Sequence, residues 1–194
     1  MEKIIIANAK ENGRKWDSNL LWPIFAPDGE HTHSFELLRS TISSPMSTGS
    51  KLEVYFYTIP PGKANFPYHF HTANEEVFCI ISGQGTLRTP DGEKDVSEGD
   101  VIFMPVKEQG AHKLTNTSDT PLVYLEVKTS TVPEICVQPD SKKYVLIAPP
   151  TVFGKSFGMD SDINYLEGEF IRRTIRSAKT KRFCGRHTIA YIWQ

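Results

Sequence analysis

The stretch Pro67-Tyr68-His69-Phe70-His71-Thr72-Ala73-Asn74-Glu75-Glu76-Val77-Phe78-Cys79-Ile80-Ile81-Ser82-Gly83-Gln84-Gly85 decides how the chain is read. Tyr68 to His71 is a short alternating segment, and residues two apart on a strand share a face. His69 and His71 therefore present both imidazoles to one side. Thr72-Ala73-Asn74 supplies a polar turn, and the run from Glu76 to Ser82 reads as the next strand. If Glu76 faces inward, Phe78 and Ile80 follow it, while Glu75, Val77 and Cys79 face away. A bulge would exchange Glu75 and Glu76. Strand parity and the six residues between Glu76 and Gly83 favour Glu76. Gly83 and Gly85 then permit a tight hairpin.

Working outward, Leu52 to Ile59 is β-branched and aromatic and stops at Pro60-Pro61-Gly62. On the other side come Thr86-Leu87-Arg88, turns at Pro90-Asp91-Gly92 and Glu98-Gly99-Asp100, and apolar Val101 to Met104. His112 to Thr115 and Leu122 to Val127 follow. Short strands with turn signals every 8–12 residues or so predict an all-β sandwich or barrel. No stretch has convincing helical periodicity. The HxH segment occurs in one such context, so one barrel is expected.

His112 lies 36 residues after Glu76, on a strand that can lie beside the first in a barrel. Three imidazoles and a carboxylate converging in an interior would cost several kcal/mol if left unpaired, a cost that a metal ion offsets. The donor mixture suits iron, manganese, cobalt, nickel or zinc, and is too nitrogen-rich for calcium or magnesium. Four protein ligands on an octahedral ion leave two open positions, the mark of a working site. His31-Thr32-His33 has the same spacing, but its nearest carboxylate, Glu36, comes too soon. It reads as a solvated loop.

At this point the sequence resembles the cupin superfamily. Gly62, His69-Phe70-His71, Glu76 and Gly83 are similar to the first cupin motif, with one extra residue between the glycine and the first histidine. Gly99, Pro105 and Gly110-Ala111-His112-Lys113-Leu114-Thr115-Asn116 are similar to the second. There the stretch from Pro105 to Gly110 is longer than usual, and one residue rather than two separates the glycine from His112. The resemblance is closest to small stand-alone bacterial cupins of the metal-binding type and covers about residues 52–127, more loosely to Glu169. It implies a double-stranded β-helix, or jelly-roll, barrel with N- and C-terminal arms, and a divalent metal ion (iron, manganese, zinc or nickel) on His69, His71, Glu76 and His112.

Expected boundaries are an arm over 1–50, a barrel core over 51–128, a return arm of the same domain over 129–169, and a basic tail over 170–194. Within the return arm, Lys143 to Ile147 is expected to add a strand at the barrel's edge, which protects unpaired backbone. Tyr68, Phe78, Arg88 and Phe103 are candidates for contacting substrate. Phe78 shares the inward face of Glu76. A surface ion pair is the commoner fate for a residue such as Arg88. No separate general base is visible, which leaves Glu75 as the one named candidate.

These residues lead to a mononuclear divalent-metal protein acting on a small oxygen-rich molecule: a sugar, a hydroxy acid or an enediol. Oxygenation by a dioxygenase-like oxidoreductase and isomerisation both remain open. So does the alternative of a binding protein for a sugar or organic acid without turnover. One cupin fold hosts many chemistries.

Composition narrows the partners. With 39% hydrophobic and 23% charged residues the chain is ordinary globular protein. No apolar run approaches the roughly 18 residues of a membrane helix, and Ile4-Ile5-Ile6 is too short for a signal-peptide core. A cytoplasmic protein without membrane contact is expected. Fifteen basic and 23 acidic residues give residues 1–170 a formal −8, while seven basic residues give 171–194 a formal +7. An acidic body binds polyanions poorly, so nucleic acid is not an expected partner. Exposed barrel edges and the apolar Leu20-to-Phe25 segment suggest a homodimer formed through the arms. Cys79, Cys136 and Cys184 form neither a disulfide framework nor a zinc pair and read as three reduced thiols.

Overall fold

The structure is a computed structural model and describes residues 7–12, 37–43, 51–148 and 151–162. Twelve strands are present among these residues. They are β1 (Leu38–Ser43), β2 (Leu52–Ile59), β3 (Phe70–His71), β4 (Glu76–Ser82), β5 (Gln84–Thr89) and β6 (Gly92–Ser97). Then follow β7 (Val101–Met104), β8 (Lys113–Thr115), β9 (Leu122–Thr129), β10 (Glu134–Gln138), β11 (Lys143–Ala148) and β12 (Thr151–Gly158). The described helical segments are one turn at Ala9–Asn12 and a 3-10 turn at Glu108–Gly110. None is long and apolar enough to cross a membrane. Residues 1–161 form one compact unit and 162–194 a second. The expectations placed on His31 and His33, on Leu20 to Phe25, and on the basic tail lie outside the described residues.

All named pairings are antiparallel. They form a five-stranded sheet, β1-β2-β9-β4-β7, a four-stranded sheet, β12-β11-β10-β3, and a three-stranded sheet, β6-β5-β8. The chain adopts the all-β jelly roll expected from its sequence, with one correction. The described strands make three sheets instead of one closed barrel. The strand anticipated at Lys143 to Ile147 forms as β11, and β10 lies between it and β3.

Parity on β4 follows the alternation in its sequence: Glu76, Phe78 and Ile80 are buried, while Val77 and Cys79 are half-buried. Opposite them on β9, Leu122, Tyr124 and Glu126 are buried. Tyr57, Ile59, Phe78, Ile80, Leu87, Leu114, Leu122 and Tyr124 belong to the main apolar core. Ile59, Leu114 and Leu122 are fully enclosed, and burial of such a side chain stabilises by roughly 1.5–3 kcal/mol. A smaller cluster of Phe70, Ala111 and Val137, flanked by Tyr68 and Met159, packs beside β3. Between β4 and β5, Gly83 has φ +85°, and an added Cβ would press on the Pro121 carbonyl. The hairpin therefore needs glycine there.

Candidate metal centre

The site is set by backbone pairing. His69 and His112 exchange both of their N–H···O bonds, His69 N to His112 O at 3.1 Å and His112 N to His69 O at 2.8 Å. Directly opposed strand residues point to one face, and the two rings lie 4.6 Å apart between centroids. His71, two residues on, stands 5.2 Å from His69. Glu76 reaches both partners, with Oε1 3.2 Å from His71 Nε2 and Oε2 3.3 Å from His112 Nε2. Gly110 matters for a different reason: a Cβ there would collide with the Pro105 carbonyl, so only glycine lets this loop close beneath His112.

The far nitrogens of the rings are held. His69 Nδ1 contacts the Pro67 carbonyl at 2.8 Å and His112 Nδ1 the Gly110 carbonyl at 2.9 Å. His71 Nδ1 lies 3.1 Å from Glu134 Oε1, close but out of line for a hydrogen bond. For His69 and His112, donation from Nδ1 to a carbonyl fixes the tautomer and leaves Nε2 as the free lone pair, the usual support of a ligating histidine. All four side chains are buried. Among the described residues, Glu76 Oε2 and His112 Nε2 have no hydrogen-bond partner. Buried polar atoms in that condition call for a ligand.

Electrostatics follow from burial and mutual contact. Burial, then the neighbouring rings of His112 and His71, drive His69 well below its usual value, and burial also lowers His112. Burial works against charge on His71 too, but Glu76 and Glu134 outweigh it and raise its pKa to about 9. Burial opposes ionisation of Glu76, yet His71 and His112 hold it well below the carboxylate range. Two overlapping groups have ligand atoms within 4.8 Å of one another and could hold a metal ion: His69, Glu76 and His112, and His69, His71 and Cys136. Imidazole, carboxylate and thiol together fit a divalent transition metal.

The family model described as "Cupin domain" matches residues 55–128. An uncharacterized protein of Methanocaldococcus jannaschii is 30% identical over 112 residues, which is 57% of this chain and 82% of that protein. The chain belongs to the cupin superfamily. Two solved structures have the same fold. A protein provisionally named a sugar phosphate isomerase, from Acidithiobacillus ferrooxidans, superposes with TM-score 0.61 at 21% identity, covering 82% of this cupin and 95% of that chain. A sugar phosphate isomerase from Silicibacter pomeroyi gives TM-score 0.57 at 22% identity, covering 66% and 82%.

The other residues singled out in this cupin's sequence are more dispersed. Phe78 is buried with its edge to His112, at 5.3 Å. Tyr68 is half-buried beside β3, and the Arg88 guanidinium sits 3.9 Å over its ring. Arg88 also makes a two-pronged ion pair with Asp140 on the surface. Two expectations need correction. Phe103 is 58% exposed and shares the outward face of Val77, its partner across the β4–β7 ladder. Glu75 is exposed, with its N–H given to Thr129 Oγ1, because parity turns it away from the side that Glu76 occupies.

Sequence reading missed Glu126, Lys128, Glu134 and the position of Cys136. Lys128 is the β9 partner of Glu76, and Glu126 is the β9 partner of Phe78. Lys128 Nζ lies 3.5 Å from Glu53 Oε2. Among the described residues no hydrogen bond or ion pair reaches the Glu126 carboxyl. Burial, reinforced by Glu76, raises its pKa to about 8. Burial pushes the Cys136 thiol up to about 12.

Proposed function

We propose that this cupin is a mononuclear divalent-metal isomerase or epimerase, acting on a small hydroxy-carbonyl compound such as a sugar or hydroxy acid. His69, His71, Glu76 and His112 are the metal ligands in this reading. The observation that carries it is Glu76 spanning His71 Nε2 and His112 Nε2 at 3.2 and 3.3 Å inside a buried site. A bound ion would act as a Lewis acid toward adjacent substrate oxygens. His69 and His112 are oriented by the Pro67 and Gly110 carbonyls, and His71 by Glu134. Glu126 is the group assigned to move the proton. Its carboxyl lies in the strand row next to that of Glu76 and holds a proton near neutral pH, where general acid–base catalysis is most effective. Lys128, opposite Glu76, offsets the negative charge of the row. A buried proton carrier next to the ligands favours isomerisation over oxygenation, which would not require one.

The test is proton exchange. The full chain, loaded in turn with zinc, manganese and ferrous iron, is incubated in deuterated water with a panel of hydroxy acids, sugars and sugar phosphates. The last are included because of the two isomerases above. Loss of the substrate's carbon-bound proton signal in the NMR spectrum is expected, and Glu126→Gln should slow it by roughly 10²–10⁴-fold while retaining the metal. Saturable binding without exchange for any compound would instead support the binding-protein reading.

A further inference from the structure

Cys136 is paired with His71 across the β3–β10 ladder, so both side chains project to the same face. Its thiol sulfur lies within 4.8 Å of a ring nitrogen of both His69 and His71. Two donors on one ion, with bonds of about 2.1 Å to nitrogen and 2.3 Å to sulfur, stand about 4.4 Å apart even when opposite each other. The sulfur thus lies near the outer limit for sharing an ion with these nitrogens, and binding would draw it closer to the one it stands beside. Buried cysteines commonly act as small apolar residues, but Cys136 belongs to neither hydrophobic cluster. Its inward neighbour on β10 is Glu134, the carboxylate against His71 Nδ1. Cys79 has no such access, since it lies on the opposite face of β4 from Glu76.

We propose that Cys136 is a fifth protein donor of this centre, giving three imidazoles, one carboxylate and one thiolate. The proposal rests on the metal-site reading above. As the sulfur–metal bond forms, the thiol releases its proton to solvent, and no electrons change hands. Five protein donors would leave an octahedral ion one open position instead of two, so only one of the adjacent substrate oxygens would reach it. A soft thiolate also shifts preference toward cobalt, zinc and ferrous iron and away from manganese and magnesium.

The experiment is a cobalt(II) titration of the full chain, stripped with chelator and kept anaerobic and reduced. Visible d–d bands report that the centre is occupied, and a near-ultraviolet sulfur-to-cobalt charge-transfer band reports a bound thiolate. Both are expected in the wild type. The charge-transfer band should survive in the Cys79→Ser/Cys184→Ser protein, whose remaining thiol is Cys136. Cys136→Ser should keep the d–d bands, lose the charge-transfer band, and bind cobalt about tenfold or more weakly, with manganese affinity changed much less. Should Cys136→Ser fail to fold, the Cys79→Ser/Cys184→Ser spectrum decides alone. Visible bands without charge transfer in the wild type would overturn the fifth donor and leave the four-ligand centre standing. No visible bands at all would remove the centre and the proposal with it.

Discussion

The two faces of the five-stranded sheet differ most around Glu76, where the inner face carries ions beside its apolar core and the outer face carries aliphatic and aromatic residues. Inward, across β2, β9 and β4, runs the row Glu53–Lys128–Glu76, and beside it Tyr55–Glu126–Phe78. Outward run Val54–Val127–Val77–Phe103 and Phe56–Leu125–Cys79–Val101, with Phe103 and Val101 exposed by 58% and 69%. An ordinary half-buried sheet keeps its apolar face inside. Enclosing ions costs several kcal/mol each unless they are paired. A chain that sets ions into one end of an otherwise apolar inner face has shaped that end for chemistry more than for packing.

The sharpest way to break this contrast is to delete one residue from each face. Glu76→Ala should abolish stoichiometric metal binding, a larger loss than the roughly 10–100-fold that follows removal of an outer partner. Phe103→Ser, on the β7 neighbour of the same strand, should leave metal content unchanged and shift stability by about 0.5 kcal/mol or less. Elemental analysis and thermal melts of the two variants make the comparison. Equal metal content in both would show that the inner row does not bind the ion.

A second variant restores the conventional pattern. Glu126→Leu replaces an enclosed carboxyl, one with no hydrogen bond among the described residues, with an aliphatic side chain of similar size. Substitutions of this kind are often neutral or stabilising by about 1–4 kcal/mol. The protein should therefore melt higher, while proton exchange on substrate falls by roughly 10²–10⁴-fold. Such a trade of stability for activity is common where an active site breaks packing rules. Exchange at the wild-type rate would remove Glu126 from the proposed chemistry.

This mixture of ions and apolar residues on one face also explains what could be read from the sequence. The pairing of His69 and His71, and the choice of Glu76 over Glu75, followed from a two-residue period because β4 alternates clearly. On β9, Leu122-Val123-Tyr124-Leu125-Glu126-Val127 offers apolar residues to both faces, so parity could not be read, and Glu126 and Lys128 escaped notice. Glu134 and Cys136 were hidden by distance along the chain. They reach His71 through β10, whose pairing with β3 joins segments more than 60 residues apart. Nothing local in Val132-Pro133-Glu134-Ile135-Cys136 indicates that partner. Phe103 lies on the edge strand β7, opposite Val77, and nothing in Val101-Ile102-Phe103-Met104 marks which face it takes.

The charges within the inner face can be probed by pH. In the metal-free protein His71 is raised from 6.5 to about 9. Its contribution to stability is complete below pH 6.5 and is lost as pH rises through about 9. Glu76 and Glu134 are depressed below 4.5, so their contribution is present above that value and is lost on acidification. Melting temperature in chelator should accordingly be highest between these limits and fall toward pH 9. Metal must displace the His71 proton, so its affinity should move the other way, rising between pH 7 and 9 by about tenfold per unit from this proton and by about tenfold more per unit where the Cys136 thiol also gives up its own. An affinity independent of pH over that range would place the ion away from His71.

The smallest effect belongs to a charged pair that does face water. Arg88 and Asp140 form a two-pronged contact with side chains 41% and 55% exposed, and Arg88 also covers the Tyr68 ring. Exposed ion pairs contribute about 1 kcal/mol or less, and an exposed cation–π contact adds little more. Arg88→Ala should thus lower the melting point slightly and leave metal binding intact, in contrast to any ionic substitution on the inner face. The salt dependence of its melting distinguishes the two contributions: raising ionic strength should shrink the gap between wild type and Arg88→Ala if Asp140 supplies most of it. A gap indifferent to salt would assign that contribution to the Tyr68 ring.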